Sequence, residues 1–399
     1  MQTKTKQKKW ILPRHYWIRH ILAPFVGALT VLMYRVRVEP FPQQGKRPFL
    51  VLMNHQTAFD QFFVGMAFKR PVYYVASEDL FSNGWVSSLI RWLVAPIPIK
   101  KQTTDIGAVM NCIRVAREGG TIAMAPEGNR TYSGETVYMN PAVGGLAKKL
   151  KLPIALFRIE GGYGVQPRWS DGTRKGKMRA YVSRVIEPEE YADMTADQLY
   201  QQIREGLQVD EAVESGFFKS RKKAEYLERA MYVCPKCGLS EFESHGNTIA
   251  CKKCGLTITY GEDKTLSGQD FPFRFVKQWY EYQEAFINNM DVTACTEKPL
   301  YEEIAAFSEV FVYKCKKLRS KKAKICLYGD RITIDDQVYG FDQVDAVTVL
   351  GKNKLNIYAG KQLFQLKGSK RFNALKYVNI YHRHKNIVRG DTDGKFLGL

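Results

Sequence analysis

The sequence predicts an α/β protein: a layered α/β domain, preceded by a helical N-terminal element and followed by a small cysteine-rich unit and a C-terminal β-rich domain. Three observations predict it. Short apolar runs alternate with helix-like stretches from about residue 49 to residue 184, which is typical of a layered α/β domain. Two close pairs of cysteines follow within residues 234–254, and beyond residue 300 the apolar residues recur with the period of strands.

The composition is that of a folded protein with a strong positive charge. Of 399 residues, 45% are hydrophobic and 25% are charged, which excludes a disordered or collagen-like chain. At roughly 100–200 residues per domain, two to four domains are expected. Sixty Lys and Arg against forty Asp and Glu give a net charge of +20. This charge favours a polyanionic partner: nucleic acid, an anionic membrane or a phosphorylated substrate.

Residues 1–45 are predicted to be a basic, amphipathic membrane anchor. The first 20 residues lack acidic side chains and carry six basic ones: Lys4, Lys6, Lys8, Lys9, Arg14 and Arg19. Trp10, Tyr16 and Trp17 are interleaved with them, a pattern that suits an anionic leaflet. The longest uncharged run, residues 21–34, includes Pro24 and is shorter than the about 20 apolar residues of a spanning helix. We expect a peripheral, monotopic attachment on the cytoplasmic side of a membrane; the alternative is an ordinary first helix packed on its own domain.

The α/β domain is predicted to span residues 46–228, and its first motif is NHQTAFD, residues 54–60, at the end of the apolar run FLVLM. Five residues of a regular helix rotate by about 500°, so His55 and Asp60 would not share a helical face. His55 is therefore predicted to lie in a turn and to fold back toward Asp60. An aspartate bound to one imidazole nitrogen makes the other nitrogen a general base for a hydroxyl proton. The alternative is that both residues only cap the helix.

A second motif, TIAMAPEGNRTYSGE, starts at residue 121 and is again an apolar strand that runs into a turn. Gly128 would let the backbone approach a ligand. Glu127 can accept hydrogen bonds from hydroxyl groups, and Arg130 carries a planar guanidinium suited to a phosphate. The two motifs are predicted to form one site.

These residues resemble a known family. NHQTAFD and APEGNRTYSG are similar to the first and third sequence blocks of the glycerophospholipid acyltransferases, which include the lysophosphatidic acid and glycerol-phosphate acyltransferases. APIPIKKQ, residues 95–102, resembles the second block, and the segment that begins Leu152-Pro153-Ile154 resembles the fourth. The resemblance implies a layered α/β fold, a membrane-associated N-terminal element and transfer of an acyl group from a thioester to a glycerol hydroxyl. The donor would be acyl-CoA or an acyl carrier protein.

The resemblance also implies roles for individual residues. His55 would be the general base, and Asp60 would orient it and stabilise its imidazolium. The residues implied at the acceptor head are Glu127, Gly128, Arg130 and Lys100 or Lys101. Two departures concern the acceptor: Asn129 and Thr131 replace the usual Thr and Ser of the third block, and lysine replaces arginine in the second. Because lysine is a point charge, acceptor choice could differ from the common type.

Three functions are therefore compatible with the sequence. The favoured one is acylation of a lysophospholipid, most simply 1-acylglycerol 3-phosphate, to give phosphatidic acid in phospholipid biosynthesis. A second keeps the enzyme but changes the acceptor to another lipid hydroxyl or amine. The third is a non-enzymatic zinc-ribbon adaptor or nucleic-acid-binding protein on an acyltransferase-like scaffold, which would leave the two motifs as coincidence.

Residues 229–262 are predicted to form a zinc ribbon. Two Cys-x-x-Cys-Gly segments supply four thiolates, which suit a structural zinc ion: Cys234, Cys237, Cys251 and Cys254. An iron centre, a redox dithiol or His245 as a substitute ligand are the alternatives. Nucleic acid is an unlikely partner of this ribbon, because it lacks the basic and aromatic stripe used for stacking on bases.

Residues 263–399 are predicted to form an accessory domain with an aromatic helix, several short strands and a closing helix, similar in pattern to pleckstrin-homology-like modules. In the closing helix Ala374, Tyr377, Val378 and Tyr381 recur at helical spacing. Seven basic residues are predicted to lie in a loop between two strands: Lys314, Lys316, Lys317, Arg319, Lys321, Lys322 and Lys324. Such a loop would be solvated or would meet anionic headgroups.

Overall fold

The computed structural model describes residues 9–100, 105–136, 138–213, 216–312 and 314–391. The chain forms two compact units that alternate along the sequence. The first unit comprises Met1–Arg130, Thr136–Gly162 and Lys177–Val209, and the second comprises Thr131–Glu135, Tyr163–Gly176 and Asp210–Leu399. The linear boundaries at residues 46, 229 and 263 stay predictions. Lys4, Lys6, Lys8 and Lys101, singled out in the sequence, lie outside the described residues.

The first unit is a mixed seven-stranded sheet with helices. Its strands are β1 (Val36–Val38), β2 (Leu50–Met53), β3 (Val72–Ser77), β4 (Ile97–Ile99), β5 (Thr121–Met124), β6 (Ile154–Glu160) and β7 (Met178–Ile186). Its helices are α1 (Pro13–Tyr34), α2 (Asp60–Ala67), α3 (Trp85–Val94), α4 (Ile106–Arg117), α5 (Ala142–Leu150), α6 (Gly162–Val165), where the chain passes into the second unit, and α7 (Ala196–Leu207). The strand order is β1-β7-β6-β2-β5-β3-β4. This arrangement confirms the predicted α/β class.

The centre of this sheet is parallel and buried on both faces. Strand β2 lies between β5 and β6, runs parallel to both, and buries all four of its side chains. Continuous apolar runs such as LVLM and TIAM are typical of strands covered on both sides. Their side chains pack with those of α4, α5 and α7 in one hydrophobic core. Because β2 and β5 are parallel, the loops that follow them leave the sheet at the same edge.

Helix α1 is the one helix in the described chain that is long and apolar enough to cross a membrane, by length and composition alone. It contains 22 residues and continues through Pro24. The prediction that this segment is too short to span a membrane is wrong on length. It rested on the uncharged run after His20, whereas the helix also includes Pro13–His20. Most of the apolar window of α1 is exposed on this unit. A peripheral attachment stays a prediction.

The second unit contains three further sheets. Strands β8 (Val233–Cys234) and β9 (Gly238–Leu239) form a hairpin, and β10 (Phe242–His245), β11 (Thr248–Cys251), β12 (Thr257–Tyr260) and β13 (Leu266–Ser267) form a small antiparallel sheet. Helix α8 (Val276–Asn288) follows. The largest sheet has strands β14 (Tyr301–Val310), β15 (Lys316–Leu327), β16 (Arg331–Ile334), β17 (Gln337–Gly340), β18 (Ala346–Leu350), β19 (Lys354–Ala359) and β20 (Gln362–Lys367), in the order β17-β16-β15-β14-β20-β19-β18. Helix α9 (Leu375–Val388) follows β20.

The structure confirms the β-rich C-terminal region and its closing helix. All pairs within the large sheet are antiparallel. Tyr377, Val378 and Tyr381 of α9 are buried, as is Ala374 at its N-cap. The spacing of these four residues therefore did identify the face of the helix that packs in the core.

The prediction that the basic run after Lys314 lies in a loop is wrong. Strand β15 begins at Lys316, and its backbone pairs with β14 as far as Leu327. Its buried residues are apolar and lie toward its C-terminal end, whereas most of its basic residues are exposed. Two of these basic side chains bind acidic residues of β14: Arg319 pairs with Glu309, and Lys324 pairs with Glu302 at 2.9 Å. Backbone pairing in a long hairpin thus tolerates a charged solvent face, which local composition does not reveal.

Candidate active site

The two sequence motifs meet at the carboxyl ends of neighbouring parallel strands. Leu52 of β2 lies opposite Met124 of β5 in the sheet register. Residues 54–59 follow β2 and residues 125–130 follow β5, so both loops start at the same edge. In open α/β sheets this edge is where ligands bind. The fold therefore brings His55 and Glu127, 72 positions apart in sequence, into direct contact.

His55 and Asp60 form a hydrogen-bonded pair. The imidazole Nδ1 lies 2.8 Å from Asp60 Oδ2. An ionised carboxylate can only accept, so it favours the tautomer of a neutral imidazole that has its proton on Nδ1 and its lone pair on Nε2. The Asp60 side chain is fully buried, whereas the His55 side chain is 26% exposed. The pair thus joins a buried carboxylate to a partly exposed imidazole.

Asp60 is held by the backbone of its own turn. Its carboxylate accepts from the N–H groups of Gln56 at 2.7 Å and Thr57 at 2.9 Å, and from the Thr57 hydroxyl at 2.6 Å. Asp60 is also the first residue of α2, where the helix dipole favours a negative charge. The side chain therefore organises the helix start and orients His55 at once, so the two sequence interpretations of this motif are compatible.

Two residues that sequence reasoning missed fix the turn to the sheet. The Asn54 side chain donates to the Ile159 carbonyl and accepts from the Ile159 N–H, both at 2.8 Å. At Gly162 an added Cβ would come 2.6 Å from the Gln56 Cβ, closer than real side chains approach. The only signals in the sequence were an asparagine directly before the histidine and the pair of glycines after the apolar run IALFRIE.

Glu127 connects the second loop to the first. Its Oε1 accepts from the His55 backbone N–H at 2.9 Å. Burial raises the pKa of the Glu127 carboxyl to about 8, and the nearby Asp60 charge adds to this effect, while the hydrogen bond from His55 opposes it. The following Gly128 has a φ of +70° and donates its N–H to the Ala125 carbonyl at 3.0 Å. The raised pKa favours the protonated Glu127 carboxyl, and its hydrogen bond with His55 holds the backbone of the turn after β2.

The four predicted cysteine ligands lie together in the second unit. Their Sγ atoms are all within 4.8 Å of one another, and the pairs Cys234–Cys254 and Cys237–Cys251 are each 3.6 Å apart. A tetrahedral zinc site with bonds of about 2.3 Å needs sulfur separations of about 3.8 Å. Gly238 and Gly255, which follow the two pairs, have φ values of +75° and +74°. The donor set and its spacing fit a zinc ion.

The chain is similar to known acyltransferases. A family model described as Acyltransferase matches residues 34–159. Residues 34–159 are an acyltransferase domain. This confirms the family predicted from the sequence motifs. The crystal structure of the 1-acyl-sn-glycerophosphate (LPA) acyltransferase PlsC from Thermotoga maritima is similar at a TM-score of 0.41 and 20% sequence identity, and the match covers 48% of this chain and 78% of that one.

The acyltransferase domain contains every residue predicted at the reaction site. His55, Asp60 and Glu127 are joined by the hydrogen bonds described above. Arg130 is largely buried. Lys100 is exposed at the end of β4, where its backbone N–H donates to Asp105 at 2.9 Å. Lys100 lies at the same sheet edge as Glu127, which follows β5. Because β3 separates β4 from β5, the ends of these two strands are about 10 Å apart. The cysteine cluster lies beyond the matched residues.

Proposed function

We propose that this chain transfers a fatty acyl group from a thioester to the hydroxyl of a lysophospholipid, most simply converting 1-acylglycerol 3-phosphate to phosphatidic acid. The observation that carries the proposal is the partly exposed His55 imidazole, which the buried Asp60 holds through Nδ1 inside an acyltransferase domain. This arrangement suits deprotonation of an alcohol by a general base and requires no serine or cysteine nucleophile.

In the proposed reaction, His55 Nε2 takes the proton of the acceptor hydroxyl as the oxygen attacks the thioester carbonyl. A tetrahedral intermediate forms, and its collapse breaks the carbon–sulfur bond. The leaving thiolate takes the proton back from the imidazolium. Asp60 keeps the proton on Nδ1 and stabilises the transient imidazolium by its negative charge. Such positioned proton transfer contributes typically 10²–10⁴-fold to a rate.

Arg130 and the lysines after β4 are proposed to hold the acceptor head. A guanidinium binds phosphate through two parallel hydrogen bonds, and an ammonium adds a point charge. Lys100 lies at the same sheet edge as the catalytic turn, which supports a role in attracting the phosphate. The protonated Glu127 carboxyl can also donate a hydrogen bond to a hydroxyl of the acceptor.

The second unit is proposed to bind a structural zinc ion through Cys234, Cys237, Cys251 and Cys254. Zinc would fix the two cysteine turns to each other and has no role in acyl transfer. The pleckstrin-homology-like assignment of the C-terminal module is supported by seven antiparallel strands followed by α9. An anionic membrane surface is the proposed partner of the basic chain.

The test is a mass-spectrometric assay of purified protein with acyl-CoA or acyl carrier protein and a panel of lysophospholipids. We expect phosphatidic acid from the wild type and none from His55→Ala, with folding and zinc content retained. His245→Ala is the matched control, because His245 is an exposed histidine of the second unit. A different acylated lipid would change the acceptor, and turnover retained in His55→Ala would overturn the mechanism.

A further inference from the structure

Helix α3 (Trp85–Val94) has its apolar residues on the outside. Its one buried side chain among the described residues is Ser87. The Ser87 hydroxyl donates to the Leu80 carbonyl at 2.7 Å and accepts from the Asn83 N–H at 2.8 Å. A helix at the surface of a water-soluble domain normally buries its apolar stripe and exposes its polar residues. On this unit, α3 instead buries a serine and exposes five large apolar side chains.

Three of the exposed apolar residues of α3, including its two tryptophans, form one stripe. Trp85, Leu89 and Trp92 recur at i, i+4 and i+7, so they share one face, and they are 76%, 44% and 52% exposed. Ser87 lies on the opposite side of the helix. Tryptophan is the side chain most characteristic of the membrane–water interface, and a contiguous exposed patch of this kind marks an interaction surface.

The stripe continues onto α1, the helix with the composition of a membrane segment. Arg14 of α1 donates from Nε to the Trp92 carbonyl at 3.2 Å, and its guanidinium lies 5.4 Å from the centre of the Trp92 ring. Just before α1, Trp10 donates from its indole to the Ala95 carbonyl at 2.9 Å. One turn beyond Arg14, Trp17 is strongly exposed. Arg14 of α1 therefore contacts Trp92 of α3 directly, and an exposed tryptophan lies one turn further along α1.

Charge identifies the partner of this surface. Neither α1 nor α3 contains an acidic residue, whereas Arg14, Arg19 and Arg91 lie on them. Basic side chains interleaved with interfacial tryptophans match the headgroup region of an anionic phospholipid leaflet. We infer that α3 is a second membrane-docking element, which inserts the Trp85–Leu89–Trp92 stripe into the leaflet that α1 enters. The inference deepens the proposed function and rests on it for its purpose, since the lipid acceptor resides in that leaflet.

The direct test is quenching of tryptophan fluorescence by brominated phosphatidylcholine in vesicles that contain phosphatidylglycerol, using the full chain. We expect strong quenching in the wild type and a large loss of quenching in Trp85→Phe/Trp92→Phe. The same vesicles should protect these two tryptophans from acrylamide. Quenching that is unchanged in the double variant would overturn the inference. A second result would also overturn the inference. If the tryptophans are protected from acrylamide in the absence of lipid, and this protection rises with protein concentration, a second copy of the chain covers the stripe.

A second measurement separates docking from catalysis. Leu89→Glu is expected to lower the vesicle-bound fraction of protein about tenfold, because a charge replaces a lipid-buried leucine. The control is Val338→Glu, which changes an exposed apolar residue on β17 of the second unit and should leave vesicle binding unchanged. Acyl transfer should fall on vesicles and persist in detergent mixed micelles. If the wild type shows quenching but no acyl transfer, the proposed function is wrong and the docking role of α3 is supported. If the wild type shows acyl transfer but Leu89→Glu binds vesicles normally, the docking role is wrong and the proposed function is supported.

Discussion

The segments that follow β2 and β5 each contain one buried carboxyl group, Asp60 and Glu127, but the two groups have different hydrogen-bond donors around them. Asp60 receives the donors of its own turn and a ring nitrogen of His55. Glu127 receives one backbone N–H from His55, and burial raises its pKa to about 8. Several donors around one carboxylate stabilise its negative charge, whereas burial with few donors favours the neutral acid. The two carboxyl groups thus differ in what they hold: Asp60 binds the histidine ring, and Glu127 binds the histidine backbone.

The largest expected effect is on turnover. Asp60→Asn should lower kcat by about 10³-fold, because an amide cannot both accept from Nδ1 and offset the imidazolium charge. Glu127→Gln keeps an acceptor for the His55 N–H and should lower kcat by no more than about tenfold. Steady-state kinetics of the two variants test this contrast, and equal losses would show that both carboxyl groups act as charges.

Removing the brace of the catalytic turn should cost stability. Asn54→Ala breaks two buried hydrogen bonds and leaves the Ile159 N–H and carbonyl without their side-chain partner. We expect a loss of about 2–4 kcal/mol in the free energy of unfolding, measured by urea denaturation of a chain that remains folded in water. A loss below about 0.5 kcal/mol would mean that water replaces Asn54 and that the brace is dispensable.

Glu127 should make stability depend on pH. Its pKa is about 8 in the folded chain and near 4.5 when unfolded. The protonated carboxyl therefore contributes its full share to the free energy of unfolding below about pH 4.5, and this contribution is lost as the pH rises toward 8. Between pH 5.5 and 7.5 the wild type should lose about 2 kcal/mol relative to Glu127→Gln. Denaturation of both proteins at the two pH values measures the difference, and parallel pH profiles would contradict the shifted pKa.

The smallest expected effect concerns the packing of the first loop. Gly162→Ala places a Cβ against Gln56 and should cost about 1–3 kcal/mol through displaced backbone. Because the displaced loop carries His55, turnover should fall severalfold without a change in the pH of maximal activity. Gly145→Ala is the matched control, since an added Cβ there meets no atom within 4 Å.

The sequence predicted the parts of the fold that depend on short patterns. The apolar runs that became β2 and β5, the spacing of His55 and Asp60, and the apolar face of α9 each involve residues close together in the chain. Asn54 and Gly162 were not predicted, because their roles depend on Ile159 and on Gln56, which only the folded sheet brings near. The basic residues of β15 were assigned to a loop because composition does not report backbone pairing. For α3, the sequence analysis did not predict that Ser87 would be buried and the two tryptophans exposed.

The alternation of the two units along the chain has a consequence for biosynthesis and for truncation. Trp169 and Tyr132 belong to the hydrophobic core of the second unit, yet they are translated before the first unit ends at Val209. On the ribosome the core around these aromatic residues cannot form until residues 210–399 have been translated. The usual order, in which the N-terminal domain folds first, therefore does not hold for these segments. A protein cut at residue 209 would keep every side chain proposed for catalysis but would expose Trp169 and Tyr132 without their core, which predisposes it to aggregation.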